Sequence, residues 1–213
     1  MIIQKQLGGD TLTISDEEEK LLMVNGPVLY LETKKPATHH FDYIAIEESV
    51  LEDEEYLTEI TLRQLGKPLT ILSTKRFLIR ELCLQDIPDL SLLFQENEGN
   101  PFFTPFFQTV EEGEVYLKDY IKYTYALGRK GIYGIFIEGQ FAGLAGFTEK
   151  EEGLELSYGL LKKYQGRGIA YEATSLLVKE LLDPIIIRVS KDNLPACHLA
   201  EKLAKENIVF YKY

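Results

Sequence analysis

Residues 154–182 constrain this chain more than any other stretch. Leu154, Leu156, Tyr158 and Leu160 alternate with Glu155, Ser157 and Gly159, the period of two that gives a strand one apolar and one polar face. Lys162-Lys163-Tyr164 is a short polar connection, and Gln165-Gly166-Arg167-Gly168-Ile169-Ala170 leads into a helix with an apolar stripe of Ile169, Ala173, Leu176, Leu177 and Leu181. Glycine has no Cβ, so backbone N–H groups beside it can approach a phosphate closely. The unpaired N–H groups of a helix start and the helix dipole both favour an anion, and Arg167 adds a cation. Strand, glycine turn and helix together read as a pyrophosphate cradle; the same turn also serves as a plain helix start.

The surroundings of this segment follow a regular order from Arg76 onward. A strand is expected at 77–82, helices at 86–94 and 111–127, and between them a loop rich in Phe, Pro and Asn. Three strands in hairpin order follow at 131–137, 141–148 and 154–161, with turns at Glu138-Gly139-Gln140 and Glu151-Glu152-Gly153. After the helix at 168–182 come a strand at 185–189, apolar enough to be buried on both faces, a helix at 193–205 and a strand at 208–213.

Residues 1–75 read as a separate, smaller α/β unit. Strands are expected at 11–14, 28–32, 42–46 and 69–72. Ser15-Asp16-Glu17-Glu18 fits a capping box opening a helix that runs to Val24 and stops at Asn25-Gly26-Pro27. A second helix is expected at 53–65, ended by Gly66-Lys67-Pro68. The predicted organisation is therefore an accessory unit over 1–75 and a larger α/β (α+β) domain over 76–213, with a mixed, largely antiparallel sheet flanked by helices.

The formal charge of −11 over 213 residues repels phosphate backbones and anionic lipid, which argues against nucleic acid or a membrane as partner. Cys83 and Cys197 form no metal-binding spacing, and His39-His40 has no third ligand nearby, so no metal is expected. Two cysteines without a framework suit a reducing compartment. No apolar run approaches the ~18 residues of a membrane span. A cytoplasmic location is expected.

The segment Gln165 to Ala170 resembles the acetyl-CoA signature of the GNAT acetyltransferase superfamily, with Gln165, Gly168 and Ala170 in the signature places. Glu155-Leu156-Ser157-Tyr158 before it and Tyr171-Glu172-Ala173 after it resemble the family's flanks, and the start Phe77-Leu78-Ile79-Arg80-Glu81-Leu82 resembles its ribosomal-protein N-terminal acetyltransferase branch. Residues 1–75 resemble a reduced haloacid-dehalogenase-like unit, without the paired-aspartate nucleophile of a phosphatase. The resemblance implies acetyl transfer from acetyl-CoA to a primary amine, small-molecule or peptide, with no metal. A homodimer is a further expectation. The cofactor would be held by Gln165, Gly166, Arg167, Gly168, Ile169 and Ala170, its pantetheine arm by Leu160 and Leu161, and Asn193 would touch that arm or cap its helix. Glu155 is the expected general base, a position that reads equally as a solvated or salt-bridged strand glutamate, with Glu149 as the alternative base. The position where the family places a general-acid tyrosine is Ala200 here, and the glycine-phenylalanine that ends that helix is Ala204-Lys205. Tyr158 and His198 are therefore the candidate acids. The alternative function is a non-catalytic acyl-CoA-binding or regulatory module that retains the fold.

Overall fold

A computed structural model describes residues 2–126, 128, 130–179, 181, 183–204 and 208–213. The chain divides after Leu69 into two units.

The first unit is a four-stranded sheet in the order β1-β2-β3-β4, with strands β1 (Ile2–Leu7), β2 (Asp10–Ser15), β3 (Val28–Leu31) and β4 (Ile44–Ala45). β1 and β2 form an antiparallel hairpin, and β2, β3 and β4 run parallel. β1 is not expected from the sequence because Ile2-Ile3-Gln4-Lys5-Gln6-Leu7 does not alternate apolar with polar residues; pairing along all six residues of β2 makes it a strand. The helix expected after Ser15 shrinks to one turn, α1 (Glu18–Leu21). The expected capping box is not formed. Ser15 Oγ accepts the Glu17 N–H at 3.1 Å, and Glu18 is drawn away by Thr38, whose N–H and Oγ1 reach its carboxylate at 2.6 and 2.7 Å. α2 (Glu54–Gln64) is capped by Asp53, which accepts the Tyr56 N–H, and buries Leu57 and Ile60.

The Glu18 carboxylate is buried, and hydrogen bonds from the His39 ring and then Thr38 lower its pKa from the ordinary 4.5 to about 2. A depressed carboxylate contributes stability above its unfolded pKa and loses it as pH falls through the folded value. The Glu18→Gln protein is therefore expected to unfold more easily than the parent at pH 7, with the gap closing between pH 4.5 and about 2. Urea midpoints followed by near-ultraviolet dichroism of the stacked Tyr30–Phe41 pair would read this; a gap that persists at the acid end overturns it.

The second unit holds a seven-stranded sheet in the order β11-β10-β9-β8-β7-β6-β5. Its strands are β5 (Thr70–Ser73), β6 (Leu78–Arg80), β7 (Ile132–Ile137), β8 (Gln140–Lys150), β9 (Gly153–Leu160), β10 (Ile185–Val189) and β11 (Ile208–Lys212). Neighbours from β5 to β9 are antiparallel; β9, β10 and β11 are parallel. The strand expected to close the first unit is thus the edge of this sheet, because Thr70 to Ser73 pair with Arg80 to Leu78. The helices are α3 (Ile87–Glu96), α4 (Val110–Asp119), α5 (Ile169–Lys179) and α6 (Leu194–Leu203). The mixed sheet flanked by helices agrees with the expected fold class.

α4 does not continue as expected. From Tyr120 to Tyr125 it widens into a π-helix. The reason is polar: the buried Tyr125 hydroxyl accepts the Leu82 N–H and donates to the Ile132 carbonyl, while Tyr120 Oη accepts the Ile132 N–H. Buried hydroxyls and amides must be paired, and the wider turn brings both rings to the start of β7. Leu127, the expected end of the helix, lies outside the described residues.

Candidate active site

β9 is paired along its whole length with β8, from Gly153↔Lys150 to Leu160↔Gly143. With β10 it shares only two positions, Leu154↔Ile185 and Glu155↔Ile186, among the described residues. Beyond Glu155 the two parallel strands part, and a gap opens in the sheet beside residues 156–160. The Leu161 N–H goes to the Ala142 carbonyl on β8. Antiparallel pairing alternates, so the amides of Tyr158 and Leu160 point away from β8 and into the gap. Of the two leucines expected to line the pantetheine arm, Leu160 therefore points its N–H into the gap, and the Leu161 side chain is buried.

At the end of the gap the chain makes a short 3-10 turn, Lys162–Tyr164, tied down by a Lys162 N–H bond to Glu96 and a Tyr164 hydroxyl bond to Gln140. Gln165 folds back so that Nε2 donates to the Leu160 carbonyl at 2.9 Å, closing the end of β9. Gly166 and Gly168 then take φ of +72° and +75°, a region that L-residues avoid. α5 starts at Ile169. Among the described residues, the backbone N–H groups of Gly166, Arg167, Gly168, Ile169 and Ala170 have no backbone acceptor. The sequence brought Gln165 to Ala170 to one short turn, and the structure makes that turn a row of unpaired donors at a helix start.

Asn193 caps α6: its side chain accepts the Ala196 N–H at 3.2 Å. The acceptor is Oδ1, so the Nδ2 amino group takes no part in that bond.

The carboxylates separate by face. Glu155 stands opposite Thr148, and Glu149 opposite Leu154, so alternation puts them on opposite sides of the sheet. Glu149 is exposed. Glu155 is half-buried and lies 3.4 Å from Arg188 and 3.8 Å from Lys150. Two cations on one carboxylate hold it in place at the last residue before β9 and β10 part. Sequence reasoning missed both partners, because Lys150 lies five residues upstream across a turn and Arg188 on another strand.

Tyr158 is half-buried, on the opposite face of β9 from Glu155. Burial, and then the neighbouring Cys197 thiol of α6, push its pKa up to about 12, so it remains a hydroxyl at neutral pH. Ala200 is fully buried on the same helix. His198 is exposed on α6 and is not drawn into the site by any described contact. On the Glu155 face, Phe103 from the loop after α3 lies on Gly159. A Cβ at Gly159 would stand 2.7 Å from its ring, so any side chain there would push the Phe103 ring off β9. Phe103 packs with Phe94, which also meets Phe106 and Phe107. Nothing in the spacing of the sequence linked Phe103 to Gly159.

Residues 76–204, well over half of the chain, match the family described as an acetyltransferase (GNAT) domain. The chain belongs to the GNAT acetyltransferase family. It is accordingly an acetyl-CoA-dependent acetyltransferase, with acetyl-CoA as co-substrate. Among solved structures, the fold is similar to RimL, a ribosomal L7/L12 alpha-N-protein acetyltransferase in complex with coenzyme A: TM-score 0.56, 20% identity, covering 63% of this chain and 82% of that one. It is also similar to the microcin C7 self-immunity acetyltransferase MccE in complex with acetyl-CoA and AMP, with TM-score 0.54, 18% identity, and coverage of 62% and 79%. A GNAT-family acetyltransferase from Bacillus anthracis gives TM-score 0.52 at 18% identity, covering 64% and 82%. No match is found among curated proteins. Among the described residues there is no cluster of His, Cys, Asp or Glu that could hold a metal ion, and no helix long and apolar enough to cross a membrane.

Proposed function

We propose that the GNAT domain acetylates a primary amine, with acetyl-CoA lying in the gap between β9 and β10. The single observation that carries this reading is that the gap ends at the unpaired amides of Gly166 to Ala170. The pyrophosphate would sit on those amides with Arg167 beside it. The pantetheine arm would pair with the inward-facing backbone of Tyr158 and Leu160 and pass Asn193 at the start of α6.

A gap in a sheet is open to both faces. Tyr158 stands on the α6 face and Glu155 on the face of the Phe103 loop, so the thioester would be reached from both sides. The amine approaches on the Glu155 face. An ammonium has no lone pair, so a proton must leave before attack; Glu155 takes it through a water. The nitrogen lone pair then forms the C–N bond to the acetyl carbon; as the C–S bond breaks, the nitrogen sheds the second proton it must lose to become an amide, and that proton neutralises the thiolate through solvent. Tyr158, a hydroxyl at neutral pH, hydrogen-bonds the departing thiolate in place of the tyrosine that Ala200 lacks.

Likeness to RimL directs attention to peptide N-termini as acceptors, and the acidic chain favours basic ones on approach. The first unit is read as an accessory module, a haloacid-dehalogenase-like remnant that supplies no catalytic group; it or the free edge of β11 would serve a homodimer. The test is thiol release from acetyl-CoA with a panel of amines and peptides at neutral pH. Acceptor-dependent release, with a mass gain of one acetyl group on the acceptor, is the expected result. Binding of acetyl-CoA without transfer to any acceptor would favour a regulatory acyl-CoA module instead.

A further inference from the structure

Arg76 lies in the turn between β5 and β6, far in sequence from the glycine turn. Its Nη2 donates to the Arg167 carbonyl at 3.0 Å, and its Nη1 is ion-paired with Glu172 in the first turn of α5. Arg76 is thus held by α5 while it holds the loop that leads into α5.

We propose that Arg76 is a positioning residue for the cofactor's pyrophosphate. It acts by aiming the Gly168 N–H, and the proposal rests on the pyrophosphate reading above. A peptide unit is planar and trans, so its carbonyl and the following N–H point in opposite directions. The carbonyl of Arg167 belongs to the same unit as the N–H of Gly168. While Arg76 draws that carbonyl to one side, the Gly168 N–H must face the other, where the anion would lie. Gly168 at φ +75° has no side chain to hold the unit in this orientation, so the constraint has to come from outside the turn. The carbonyl would otherwise be free to accept an N–H from the first turn of α5, which would rotate the unit out of line. Glu172 completes the arrangement by neutralising the arginine, so that Arg76 is fixed on the protein and does not bend toward the phosphates. The pair is half-exposed, and a direct role in core packing is small.

The test compares Arg76→Ala with the parent on two thioesters: acetyl-CoA, and S-acetylpantetheine, which lacks the pyrophosphate. The KM for acetyl-CoA is expected to rise about tenfold, the scale of one charge-assisted hydrogen bond, with kcat kept. For S-acetylpantetheine kcat/KM should change less than about twofold. Arg76→Lys, which cannot fork between Arg167 and Glu172 in the same way, should recover little of the loss. Equal losses on both thioesters would mean a purely structural role and overturn the proposal. So would an unchanged KM for acetyl-CoA, provided Gly168→Val still abolishes binding; if Gly168→Val also binds normally, the pyrophosphate reading itself fails.

Discussion

Gly168→Val is expected to abolish acetyl-CoA binding while leaving the protein folded. A Cβ at this position meets no atom within 4 Å, yet φ is +75°. The obstacle is therefore backbone conformation and access to the anion, not a clash with the protein. A β-branched residue in the left-handed region is a genuine outlier, costing on the order of 1–2 kcal/mol. The turn would relax toward negative φ and carry the Gly168 and Ile169 amides away from their shared direction. Each N–H bond to a charged group contributes about 1.5–3 kcal/mol, so losing two weakens binding by roughly 100-fold or more. The branched side chain would also cover the surface where the phosphate approaches. Titration calorimetry with coenzyme A reads the loss, and thermal unfolding checks the fold. Binding at parental affinity would place the pyrophosphate elsewhere.

Glu155→Gln is expected to slow turnover by ~100-fold or more at saturating acetyl-CoA, the scale of a lost general base, with cofactor affinity kept. The substitution preserves size and removes the charge. It also takes away the charge facing Arg188 and Lys150, now 3.4 and 3.8 Å from the carboxylate, although Arg188 keeps its pair with Glu152 at 3.3 Å, so a merely structural ion pair would be disturbed as well. The two roles part in the readout. A lost base is relieved as pH rises and more of the amine is unprotonated, since a free amine has a pKa near ~10. A lost ion pair on a half-exposed surface contributes only about 0–1 kcal/mol to stability and gives no such pH dependence. Turnover of Glu155→Gln at the parental rate from pH ~6 to ~9, a range about neutrality, would overturn the assignment. Glu149→Gln would then be measured, although that carboxylate stands on the other face of the sheet.

The central part of this chain was legible because its rules are local. The hairpins of β7, β8 and β9 follow from apolar runs, alternating with polar residues in β9, divided by Glu138-Gly139 and Gly153, and Glu138 and Gly139 both take positive φ in the structure. α5 follows from a 3.6-residue stripe, and the glycine turn from the need for backbone without side chains at a helix start. Elements that depend on distant partners were misread. α1 loses most of its expected length because Glu18 bonds Thr38, twenty residues away. β5 joins the larger sheet because β6 is beside it, and the end of α4 widens because Tyr120 and Tyr125 must pair with the backbone around Ile132.

What the sequence by itself determined was the series of elements from Arg76 onward and the chemical character of one turn: Gln165, two glycines and Arg167 ahead of an amphipathic helix. Only the tertiary structure decided that β9 and β10 part after Glu155, that Glu155 and Tyr158 stand on opposite faces of that gap, and that Arg76 holds the Arg167 carbonyl. Periodicity and glycine placement act over a few residues and are written along the chain. A strand separation, a pair of opposed faces and an arginine reaching 91 residues in sequence depend on which strands become neighbours, and burial of the whole core settles that.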